Sequence, residues 1–554
     1  MSLHYSSAED KELPSSHVED RDPMNEVQVG KGDSAHLSGA QVKAVRNAEL
    51  YAAIQESNIP RWSPASVHLY FSMFIAFCCA VANGYDGSLM TAIIAMEPFQ
   101  RQFNSGTTGV TVSVIFSLYT TGAIVGSLCA AVVSDKYGRR KTIFAGGVLL
   151  LTGMIIATTA KRIPQLVVGR FILGSGTAFM VLGAPAYTTE IAPPQWRGRC
   201  TGLYNTGWFA GSIPAAAVTF GCNYIDSNLA WQIPVILQAF ACVIAMVGVF
   251  FIPESPRFLM ANGREEEAIE LLVKYHGNGD THSKLVALEV EEMRAGIRQD
   301  GADKRWWDYR PLLMTRNGRW RMAQVVMMSI FGQFSGNGLG YFNTVIFANL
   351  GISSSAQQLG YNLLTAVVSA VGAVTGASLT DRMPRRKVLI FGTLACACAL
   401  ATNAGLSAAL AEQGDNVIKS YAQGALASYF LFNVFVMFTY TPLQAVVPSE
   451  ALETTTRAKG LALSGVIANG IGFINQFCGP IALGNIGYKY IYIFVAWDCI
   501  EALCWYLFGV EAQGRTIEEL QWVYNQPNPV KASLKIDKVV VQADGTVSEK
   551  VAEA

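Results

Sequence analysis

Two charged residues stand where charge is expensive. Asp86 lies within the apolar run 67–95, and Arg170 lies near the start of the run 165–189. An ionised side chain at membrane depth costs at least about 3 kcal/mol on insertion scales unless it is paired or wet. Opposite charges in two such runs are most simply accommodated by pairing with each other. A second set of charges sits between runs. "SDKYGRRKT" (134–142) and "TDRMPRRKV" (380–388) are the same Asp-led basic box written twice. Asp135 and Asp381 end their runs, where helix-end partial charges and arginines can satisfy them. Glu190 and Arg197 are spaced as Glu450 and Arg457 are. Such acids and bases can cross-link adjacent helix ends into a latch that closes one face of a helix bundle and breaks when that face opens. Anchoring to the membrane surface explains the basic residues but not the matched acids.

The elements that must position these groups follow from composition. The chain has 554 residues, 51% hydrophobic and 15% charged, with zero net charge. Soluble domains carry about 25% charge, and a neutral chain offers no footprint for nucleic acid. About 20 apolar residues cross a bilayer. Twelve runs qualify, near 67–95, 109–133, 142–160, 165–189, 199–221, 231–252, 321–349, 358–379, 388–411, 421–447, 459–483 and 488–509. The sequence therefore predicts an all-α membrane protein of twelve transmembrane helices. Lys136, Arg139, Arg140 and Lys141 in one loop, and Arg382, Arg385, Arg386 and Lys387 in another, place those loops in the cytoplasm by the positive-inside rule. Both termini and the 253–320 segment share that side. The polar stretch to about residue 60 contains no secretory signal, and 36–57 is read as either a short amphipathic helix or a tail. Cysteines inside runs read as small apolar residues.

Three features recur in the same order: the basic boxes, "TEIAPPQWRG" (189–198) with "SEALETTTRAKG" (449–460), and "PESPR" (253–257) with "VEAQGRTIEEL" (510–520). They divide the chain into homologous six-helix halves, 66–252 and 321–510. Flanking them are an N-terminal tail (1–65), a linker (253–320) and a C-terminal tail (511–554). Helical spacing within the linker predicts helices near 264–276 and 286–298. Glu254 and Glu511, in the third echo, join the latch with Arg139, Arg140, Arg385 and Arg386. Neither a phosphate-binding loop nor a nucleophile–base set is present, so neither ATP-driven transport nor an enzyme is expected. No cofactor is implied.

As a set, "GYDGS" (84–88), "GRFILGSG" (169–176) and these echoes resemble the sugar porters of the major facilitator superfamily. The resemblance covers about 65–525. "GQFSGNGLGYF" (332–342) and "INQFCGPIAL" (474–483) are similar to the fungal lactose-permease and cellodextrin-transporter branch. Pro384, and Ala512 with Gln513, depart from the family pattern. The resemblance implies import of a sugar by proton symport, with a monomeric unit in the plasma membrane; a facilitative carrier of a sugar, polyol or glycoside, or a non-transporting sugar sensor, is the alternative. It makes Asp86 and Arg170 the coupling pair, against a permanent ion pair as the competing reading. It assigns the sugar to Gln333, to Asn205 placed from Arg197, to Tyr440 placed from Glu450, and to Asn469 and Asn337. Phe334, Tyr341 and Phe342 are further candidates, with Asn475 and Gln476. Gly332 and Gly338 replace larger residues, which implies a roomier site, as a disaccharide would need.

Overall fold

The computed structural model describes residue 60 and residues 62–534, apart from 303–308, 353, 380–382, 413–418, 453–456 and 514–516, together with two short strands beyond. The 36–57 stretch and Asp381 lie outside the described residues, as do the side chains of Arg197 and Arg457. The first half runs α1 Pro64–Ile93, α2 Val110–Tyr137, α3 Arg139–Thr158, α4 Ile163–Ile191, α5 Pro194–Cys222 and α6 Leu229–Phe251. The second runs α7 Arg316–Phe334, α8 Ser355–Leu379, α9 Arg385–Glu412, α10 Lys419–Ala451, α11 Arg457–Ile486 and α12 Lys489–Phe508. Large apolar side chains such as Val132, Ile155, Phe240 and Phe391 point outward, as a lipid-facing surface requires.

The halves are built alike. In the first, α3 packs on α4, α2 on α4, α1 on α5 and α3 on α6; in the second, α9 packs on α10, α8 on α10, α7 on α11 and α9 on α12. Close approach in the first half depends on small residues. A Cβ on Gly84 of α1 would sit 2.0 Å from the Trp208 carbonyl oxygen of α5. Between the halves, α2 meets α11 and α5 meets α8.

Among the described residues, ten helices are long and apolar enough to cross a membrane unaided. The exceptions are α5, which begins "PQWRGR", and α7, which begins "RNGRWR". The expected continuous span 321–349 is in fact broken. α7 ends at Phe334, a 3-10 turn covers Asn337–Phe342, and a short helix follows at Asn343–Asn349. Gly336 at φ +85° makes the break, a backbone region that side-chain-bearing residues adopt only under strain. Asn343 then pins the short helix, donating to Asn362 of α8 (3.0 Å) and accepting from the Tyr429 hydroxyl of α10 (2.6 Å).

The linker folds as helices Pro256–Ala261, Glu265–Tyr275 and Lys284–Ala302, near the two expected positions. It is tied to the first half by His68 of α1, 2.5 Å from the Tyr275 hydroxyl, and by His276, 3.1 Å from the Ile191 carbonyl oxygen of α4. A C-terminal helix, Ile517–Asn525, packs on the start of α7, with the Arg321 guanidinium 4.7 Å from the Tyr524 ring centroid. Separately, β1 (Lys538–Val541) and β2 (Val547–Val551) form an antiparallel hairpin in a second unit. This hairpin is the one departure from the all-α expectation among the described residues.

Candidate functional site

α1 and α4 bring the two membrane-depth charges together. Arg170 Nη1 donates to Asp86 Oδ1 at 2.8 Å, with Asp86 1% exposed and Arg170 little more. The guanidinium also lies 4.6 Å from the ring centroid of Tyr119 on α2, a neighbour the sequence reading missed. A charge-assisted bond plus an aromatic face stabilises the arginine where water does not reach. Among the described residues, Asp86 Oδ2 has no hydrogen-bond partner.

The break after α7 gathers polar groups on the opposite half. Gln333 is partly exposed near Gly472 of α11, and its backbone carbonyl oxygen accepts from Asn475 Nδ2 at 2.9 Å. Asn337 donates to the Gly332 carbonyl oxygen at 3.4 Å, which folds it onto the break. Asn469 is partly exposed and donates to Gly465 of its own helix, and Asn205 of α5 is exposed. Gln476 accepts from the Thr120 hydroxyl of α2, a bond between halves. Phe116, Tyr341 and Phe342 meet edge to face, with the Phe116 and Phe342 centroids 5.3 Å apart. Phe334 packs at a tilt against Trp497, with the ring centroids 5.5 Å apart.

Two expectations are corrected. Tyr440 is 2% exposed inside the second half, its hydroxyl 2.7 Å from that of Thr393 and donating to Glu501 at 3.0 Å. α10 instead presents Gln444 beside Gly332, where an added Cβ would lie 3.4 Å from its amide carbon. The space freed at Gly338 is filled by Asn475, 2.8 Å from a Cβ placed there. The smaller residues therefore do not enlarge the site by themselves. Asp498 and Glu501 of α12 are both fully enclosed, and neither was singled out from the sequence.

The echoed motifs build one network twice. Arg139 pairs with Glu190 (2.9 Å), and Arg385 pairs with Glu450 (3.2 Å). Glu254 accepts the backbone N–H of Arg139 (3.1 Å) and of Arg140, while Glu511 accepts those of Arg385 (2.9 Å) and Arg386 (3.0 Å). Each glutamate thus caps the helix that its basic box begins. Burial pushes the Glu254 carboxyl up from its ordinary range, and the N–H groups of Ser255, Arg140 and Arg139 oppose the shift. Asp135 is 83% exposed and only 3.8 Å from Arg139, a minor member. These pairs join helices within a half. Among the described residues, the bonds between halves are Thr120 to Gln476 within the bundle and, at the end away from the linker, Thr91 to the Tyr341 carbonyl oxygen, Thr344 to that of Thr91, Ser355 to that of Ala95, and the Gly109 N–H to that of Pro480.

A twelve-helix carrier of two repeated halves, with a charge pair in one and amides at a helix break in the other, defines the class. The "Sugar (and other) transporter" family model matches residues 72–524, and the chain belongs to that family. It is 28% identical over 473 residues to "MFS-type transporter criB" of Aspergillus cristatus, covering 84% of this chain and 96% of that one. It is 29% identical over 481 residues to the "High-affinity glucose transporter" of Kluyveromyces lactis, covering 84% and 87%. The fold is similar to that of the xylose transporter XylE from E. coli in a partially occluded inward open conformation. The TM-score is 0.67 at 20% identity, over 81% of this chain and 100% of that one. The chain is a membrane carrier of the major facilitator superfamily, not an enzyme.

Proposed function

We propose that the chain imports a sugar with a proton by alternating access across the plasma membrane, with both termini and the linker in the cytoplasm. The observation that carries this reading is the buried Asp86–Arg170 pair. Protonation of Asp86 removes the charge that holds Arg170, which favours the outward-facing, sugar-accepting state. Proton release to the cytoplasm re-forms the pair. The bonds between halves, placed away from the linker, fit an inward-facing conformation with the pair closed. Gln333, Gln444, Asn205 and Asn469 supply the donors and acceptors that sugar hydroxyls require, and Asn337 supports the break. The substrate is a disaccharide such as lactose or cellobiose, or a hexose or pentose, as in the fungal lactose-permease branch. A glucose transporter among the relatives supports this class.

The test is uptake of labelled glucose, xylose, galactose, cellobiose and lactose in transporter-null yeast, with and without a protonophore. Accumulation of one sugar that the protonophore abolishes supports symport. Uptake that stops at the external concentration and ignores the protonophore makes the protein a facilitator, with Asp86–Arg170 a fixed pair.

A further inference from the structure

We propose that Gln238 is the acceptor that takes Arg170 when Asp86 binds a proton. The inference rests on the coupling reading above and adds the second position of the arginine. Gln238 lies at the interruption of α6, between helical segments Leu229–Leu237 and Ala239–Gly248. It is 1% exposed, and among the described residues neither its Oε1 nor its Nε2 has a hydrogen-bond partner. Arg170 Nε is likewise buried and without one among the described residues. Both side chains line one cavity of about 10 Å³, walled by apolar groups such as Leu89, Phe99, Leu173 and Trp231. That volume holds at most about one water molecule.

An unpaired amide and an unused guanidinium N–H lining the same small, apolar-walled cavity are the two halves of a bond that a shift of Arg170 would complete. When Asp86 is neutral, Arg170 keeps its charge and, at this depth, needs another acceptor. The Gln238 carbonyl oxygen supplies one, directly or through a single water. Because Gln238 is itself uncharged, it does not compete with ionised Asp86, so the observed pair remains the resting arrangement. The titratable groups facing the pair are Tyr119 of α2 and Tyr341 of the α7 break. α5 faces this part of α1 with Trp208, and α6 faces the pair with Gln238 itself. The other acids of the first-half helices, Asp135 and Glu190, lie at helix ends beside Arg139, and His68 near the start of α1 contacts Tyr275.

An acceptor that holds released Arg170 stabilises protonated Asp86, so removing it lowers the pH at which Asp86 titrates, and an anion there raises it. The experiment is infrared difference spectroscopy of the purified full chain against pH, following the carboxylic-acid carbonyl band that Asp86→Asn removes. Gln238→Leu is expected to move its midpoint down by roughly one pH unit, and Gln238→Glu to move it up. Opposite shifts cannot come from misfolding. Unchanged midpoints in both variants overturn the proposal. If the wild-type protein shows no such titrating band, the coupling reading itself fails.

Discussion

At the residue scale, the proposed sugar contacts differ from the packing residues in their surroundings. Gln333 and Gln444 offer amides at the α7 break, while Tyr440 completes a network with Thr393 and Glu501. Gln333→Ala is expected to raise KM about tenfold or more, the loss of a hydrogen-bonding partner for a sugar hydroxyl. Concentration-dependent uptake checks this. Tyr440→Phe strips Glu501 of its donor. It is expected to destabilise the protein by about 1–3 kcal/mol, lowering Tm in detergent while KM stays unchanged. A raised KM with unchanged Tm would return Tyr440 to the sugar site. Asp86 and Arg170 were legible in the sequence because charge in an apolar run is conspicuous. Gln238 and Gln444 were not, because a neutral amide gives no such signal. Counting back from Glu450 also crosses Pro448 and Pro442 within α10, where a helix can change phase.

At the element scale, function concentrates where helices are least regular. α5 and α7 fall short of the apolar criterion that ten other helices meet, and α7 is broken beside Gln333. Unwound backbone at membrane depth is tolerated where it is buried in protein or lines a cavity. The stretch "FSGNGLG" carried the signal for this break, but the apolar residues on either side made it read as one continuous span. Gly336 holds a positive φ, and a Cβ there would also lie 2.6 Å from the Phe432 ring. Gly336→Ala is therefore expected to cost about 1–3 kcal/mol from backbone strain alone, seen as lower Tm and slower uptake. The linker helices were legible from their periodicity. Their attachment through His68–Tyr275 and His276–Ile191 was not, because it depends on tertiary placement.

At the scale of the whole molecule, the two boxes that repeat in sequence repeat in structure. Arg139–Glu190 with Glu254, and Arg385–Glu450 with Glu511, fasten equivalent helix ends, which is why the echoes keep their order. The motifs were legible because ion pairs and caps demand particular residue types. The conformation was not, because one sequence must support both faces of the cycle. With the halves joined away from the linker, Asn205→Cys is expected to react with a membrane-impermeant maleimide faster in inside-out than in right-side-out vesicles, relative to the parent protein. The central claim is that Asp86 carries the coupled proton. Its most direct measurement is proton uptake driven by the sugar gradient in proteoliposomes, using the sugar that the yeast assay identifies. The account predicts sugar-driven proton uptake with the wild-type protein, and none with Asp86→Asn, although that variant still exchanges preloaded sugar. Sugar-driven proton uptake that survives Asp86→Asn would contradict it.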